Sequence, residues 1–171
     1  MPFSPTDSLP QAISQICFAR QMMLTLLEDV DDAEWFAQPA GSPTHIAWQV
    51  GHLAMAEYGL TLFRMRGRQE IDLELMTGSF RKLFSRGSTV QADASKYPAP
   101  TEIRETLHRV HQQALLEMPT YSAELLSEPV DMPYAVYPTK FGCLLFCQFH
   151  EGIHTGQIGL LRRLLGKPPV R

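Results

Sequence analysis

A chain of 171 residues, 44% of them hydrophobic, has the length and apolar content of one domain with its own core, so a single domain over 1–171 is expected. Its 15 basic and 18 acidic residues nearly cancel and form no basic stripe, which argues against a nucleic-acid partner. No apolar run of about 20 residues offers a membrane span, no basic-then-apolar leader opens the chain, and Cys17, Cys143 and Cys147 form no C-x-x-C pair, which together predict a cytoplasmic protein.

Four long apolar-periodic segments, separated by proline-rich or glycine-rich stretches, predict an all-α fold, an antiparallel four-helix bundle without internal repeats. The first runs from Leu9 to Asp29, with Ile13, Ile16, Cys17, Met23, Leu24 and Leu27 inward and Pro10 tolerable only in the first turn. The second opens with Ser42 as cap and Pro43 in the first helical position, and continues to Arg66 before Gly67. Short helical pieces are expected around Leu73 to Phe84 and at Ser122 to Leu126. The third long helix spans Thr101 to Met118, closed by Pro119, with Ile103, Leu107, Val110, Ala114 and Leu115 inward. From Pro119 to Pro138 a proline-rich loop carrying Met132, Tyr134 and Tyr137 can cover an open end of the bundle, with Val130 to Tyr137 reading as extended. The fourth helix begins with Thr139 as cap and ends at Gly166, ahead of Pro168 and Pro169.

The fourth helix contains His150-Glu151-Gly152-Ile153-His154, spelled H-E-x-x-H. Imidazoles four residues apart share a helical face and can hold one metal ion, the arrangement of a zinc peptidase with the glutamate as general base. A peptidase also needs a third ligand downstream, and the residues after His154 include no His, Asp or Glu. The longer metzincin pattern is absent, since Gln157 and Leu160 stand where glycine and histidine are required. Glu151, turned about 100° from His150, has a base role or merely flanks the site.

Of the other histidines, His108 and His111 read as part of a solvated polar face among Arg104, Arg109, Gln112 and Gln113. His45, about 10 Å of rise from His52, reads as a first-turn residue with a local role. His52 lies about 13 Å along its helix and His150 about 16 Å along its own, the mid-helix depth at which bundles house metals. Trp48, Met55 and Ala56 make the His52 stripe apolar, so His52 faces inward, either as a ligand or as a buried histidine bonded to a carbonyl. A Cys2His2 site with Cys143 and Cys147 fails on length, about 16 Å of helix separating Cys143 from His154, so these cysteines read as small core residues.

Two stretches carry a family resemblance: Trp48-Gln49-Val50-Gly51-His52-Leu53-Ala54, and His150 to Ile158 with its H-x-x-x-H-x-G-Q-I pattern followed by Leu161-Arg162-Arg163-Leu164-Leu165-Gly166. In order, separation and position they resemble the DinB/YfiT-like superfamily of four-helix-bundle metal proteins, in its DinB_2 branch, over nearly the whole chain. The resemblance implies a three-histidine site of His52, His150 and His154 holding zinc, nickel or another divalent ion. It leaves the Glu151 position free. Characterised relatives include transferases and an isomerase that use a low-molecular-weight thiol, so a thiol cofactor and a small-molecule substrate are implied. The expected function is a metal-dependent, thiol-dependent transferase, with a hydrolase using Glu151, or a non-catalytic metal-binding stress protein, as alternatives. Gln157 is a candidate for orienting an imidazole or a bound water, or else for an interhelical hydrogen bond. Gly152, Gly156 and Gly159 each cost roughly 1 kcal/mol against alanine, which predicts close packing within the chain or across a homodimer. Arg162 and Arg163 complement the dipole of the last turn.

Overall fold

The computed structural model describes residues 5–131 and 137–170; every element among them is helical, apart from an isolated bridge between Pro129 and Thr139. The four long helices are α1 (Pro5–Leu27), α2 (Ile46–Glu57, continuing through a π-helical stretch Tyr58–Phe63 into a last turn Arg64–Arg66), α3 (Pro100–Glu117) and α4 (Lys140–Leu164). Their inward residues, among them Ile16, Met23, Val50, Leu62, Val110 and Leu144, form one core. The helical fold class holds. None of the described helices is long and apolar enough to cross a membrane.

Cross-helix pairs fix the directions. Arg20 meets Glu151 near the middle of α1, and Asp29 just past its end meets Arg162, so α1 and α4 ascend together. Glu57 meets His111 and Arg66 meets Glu117, so α2 and α3 also run parallel. Gln49 meets His154 while Met65 meets Lys140, so α2 and α4 oppose each other. The simple antiparallel bundle is thus replaced by two parallel pairs. The long crossover 67–99, which carries the short helices Asp72–Leu75 and Gly78–Leu83, returns the chain along the bundle and makes this possible.

Boundaries follow their local chemistry. Thr139 caps α4 by accepting the Gly142 N–H at 3.4 Å, and Gly166 beyond it adopts φ +85°, the left-handed conformation that stops a helix. The cap of α2 is not Ser42, whose hydroxyl instead donates to the Thr44 carbonyl at 3.0 Å. His45 replaces it: its Nδ1 accepts the Trp48 N–H at 3.0 Å, while Nε2 donates to the Gln91 carbonyl at 3.2 Å. The local role expected for His45 is therefore a cap. Leu24, expected inward, is 39% exposed, while Arg20 is buried beside Met23 and Leu27. Met132 and Tyr134 lie outside the described residues, as does most of the segment Val130 to Tyr137.

Candidate metal centre

Near mid-bundle, His52 of α2 faces His150 and His154 of α4. One ring nitrogen from each falls within 4.8 Å of the others, the only such group of potential ligands among the described residues. The ring centroids are 5.2 Å (His52 to His150), 4.8 Å (His52 to His154) and 4.5 Å (His150 to His154) apart. His52 and His154 are buried and His150 is half-buried. None of the three cysteines joins the group; all are free thiols, Cys143 and Cys147 buried as expected and Cys17 half-buried.

Hydrogen-bond partners set the tautomers. His52 Nδ1 lies 2.8 Å from the Phe84 carbonyl, which only accepts, so Nδ1 carries the proton and Nε2 is bare. His154 Nδ1 meets Gln49 Oε1, an amide oxygen that only accepts, while the amide Nε2 donates to Thr44 Oγ1 at 2.9 Å. His154 Nε2 is therefore bare as well. It sits 3.2 Å from His150 Nε2, close enough for the pair to share one proton or one cation. Burial, followed by the mutual influence of the rings, lowers His150 to about 4 and His154 to about 3, and burial lowers His52 as well, so neutral pH leaves all three uncharged. Neutral imidazoles whose ring nitrogens converge within 4.8 Å, two of them with the far nitrogen anchored, are a donor set suited to a divalent ion.

The crossover builds half of this arrangement. Phe84 lies beside Gly51, where a Cβ would come within 2.5 Å of the ring, so only glycine lets Phe84 pack closely enough for its carbonyl to reach His52. Trp48 stacks on His52 at 4.8 Å and 8° and donates from Nε1 to Ser88 Oγ at 3.0 Å. Gln49, Phe84 and Gly51 were not singled out by the sequence as supporting residues. Gln157, which was, is exposed, and the role proposed for it belongs to Gln49.

A sequence profile of the DinB superfamily, DinB_2, matches residues 15–158. The chain belongs to the DinB superfamily. No curated protein matches it. In this DinB chain the second half of the H-E pair turns away from the histidines. Glu151 is buried and receives Arg20 on both oxygens, from Nε at 2.6 Å and Nη2 at 3.3 Å. Arg20 also donates to Glu57 at 2.8 Å, and Glu57 lies 2.7 Å from His111 Nδ1. Burial disfavours the Arg20 charge, but the two carboxylates outweigh it and hold the guanidinium protonated. His111 is thus buried rather than solvated, whereas His108 is exposed as expected. Arg162 is also buried, paired with Asp29 at 2.6 Å, and ties α4 to the end of α1.

The glycines expected to mediate close packing do not do so within the chain. A Cβ at Gly152 or Gly156 would meet nothing within 4 Å, and one at Gly159 only Leu26 at 3.7 Å.

Proposed function

We propose that this DinB protein binds a divalent metal, zinc or nickel, through the Nε2 atoms of His52, His150 and His154, and acts as a thiol-dependent transferase. The observation that carries the reading is the convergence of three neutral ring nitrogens beside a cavity of about 500 Å³, which is lined by His52 and His150 and open to solvent. A divalent ion held there supplies the positive charge that keeps a thiol deprotonated, and so nucleophilic, at neutral pH. The chain's own residues do the rest. Gln49 and the Phe84 carbonyl orient two imidazoles, Trp48 covers one face of His52, and the cavity admits thiol and electrophile from the side of His150. Three buried or half-buried free cysteines agree with a reducing cytoplasm as the setting.

The experiment is elemental analysis of the purified protein beside His52→Ala and His150→Ala. A divalent ion present in the parent and lost from both variants is the expected result, and metal retained undiminished in both refutes the shared site. Metal-loaded protein incubated with a panel of biological thiols and an electrophile is expected to turn over. Failure with every thiol leaves a non-catalytic metal-binding role.

The reading extends to a homodimer through the outer face of α4. Phe149, Ile153, Leu160 and Leu164 are each 44–63% exposed and fall, together with Gly156, within about 80° of arc. Sedimentation of the parent against Ile153→Glu tests this, a shift from dimer to monomer being expected.

A further inference from the structure

The cavity beside the histidines has two chemically different ends joined by one stripe of α2. His52, Met55, Ala56, Gly59, Leu60 and Arg64 follow one another at spacings of three, one, three, one and four, a single helical face, and all line the cavity. Arg64 lies twelve residues beyond His52, about three helical turns through the π-helical stretch Tyr58–Phe63, and the Cα–Cβ bond of a helical residue tilts toward the N-terminus, so the Arg64 side chain leans back toward the histidine end. The stretch between is apolar and roomy. A Cβ on Gly59 would meet nothing within 4 Å, and Phe146 of α4 forms the facing wall.

Two arginines line the cavity, Arg64 of α2 and the exposed Arg86 of the crossover. Arg20, Arg66, Arg104, Arg109 and Arg162 each face a carboxylate within 4.0 Å. Half-buried at the cavity, Arg64 has no such partner among the described residues. A guanidinium at the end of an apolar trough presents a planar donor array suited to an oxyanion.

We propose that this cavity takes an amphipathic organic acid: a metal-ligating group at His52 and His150, a short apolar segment along Met55, Leu60 and Phe146, and an oxyanion on Arg64. The site is thereby selective for acids over alcohols and amines of the same length. The metal-ligating end rests on the metal reading above; the selectivity of the far end does not.

The test compares mercaptohexanoate, mercaptohexanol and mercaptohexylamine on cobalt-loaded protein, reading thiol binding from the charge-transfer absorption and metal content by elemental analysis. The same three compounds are titrated into metal-free protein while the Met55 methyl resonance is followed by NMR. The acid is expected to bind tightest and the amine weakest in both forms. Arg64→Gln should weaken the acid about ten-fold, the worth of one charge-assisted hydrogen bond, and leave the alcohol and the metal content unchanged. Arg64→Lys should recover part of the preference. Failure to take up cobalt sinks the metal reading alone, since the NMR titration still measures selectivity. Equal affinity for acid and alcohol, an acid preference that survives Arg64→Gln, or no binding in either form overturns the proposal.

Discussion

Two polar clusters sit side by side in the bundle and are built on opposite principles. His150 and Glu151 are consecutive, yet one joins the histidines and the other joins Arg20, Glu57 and His111. In the Arg20 cluster charge is closed: the guanidinium is bonded to two carboxylates, and one of those also meets an imidazole. In the histidine cluster charge is absent and neutral ring nitrogens converge, two of them 3.2 Å apart. A buried group whose partners are complete holds a fold together, whereas one with unused ligating atoms is prepared for something from outside.

Removing Arg20 should give the largest effect. Arg20→Ala leaves two buried carboxylates uncompensated and is expected to cost about 3–5 kcal/mol in denaturant unfolding, while the metal per folded chain stays at the parental level. Metal loss in that variant would mean that the two clusters are one functional unit.

Acid should act on the histidine cluster first. His150 and His154 titrate near 4 and 3 in the folded chain but near 6.5 when unfolded, so the unfolded state binds more protons between those values. Metal-free protein is therefore expected to lose stability as pH falls from 6.5 toward 4, by a course that His150→Ala with His154→Ala flattens. A flat profile in the parent would remove the case for neutral buried imidazoles.

Smaller effects probe the supports. Gly51→Ala forces a Cβ into Phe84 and should cost about 1–3 kcal/mol while weakening metal binding, because the Phe84 carbonyl moves with its ring. Gln49→Ala should weaken metal binding roughly 10–100-fold, measured by competition with a chelator. Gln157→Ala, at an exposed position, should change stability by less than about 0.5 kcal/mol and leave metal binding intact.

The local half of the structure was legible because its causes are local. Thr139 and Gly166 bound α4 through their own cap chemistry, and the apolar stripe around His52 turned it inward. What escaped depends on distant chain. Whether Ser42 or His45 caps α2 turns on where Gln91 docks, and the pairing of His111 turns on α2 lying parallel to α3. The partner of His154 was on the page as Gln49, but only the opposed directions of α2 and α4 bring it there, whereas Gln157 on the same helix points to solvent. Arg20 carried a faint signal, a cation inside an apolar stripe, that only its two carboxylates explain.

The stacking of Trp48 on His52 has a practical consequence. An indole parallel to an imidazole at 4.8 Å shares excited-state electron density with it, and protonating or metallating that ring alters the quenching. Trp35, fully enclosed beneath Arg104, supplies a steady background. Intrinsic emission is therefore expected to change when the His52 ring is protonated or takes a metal.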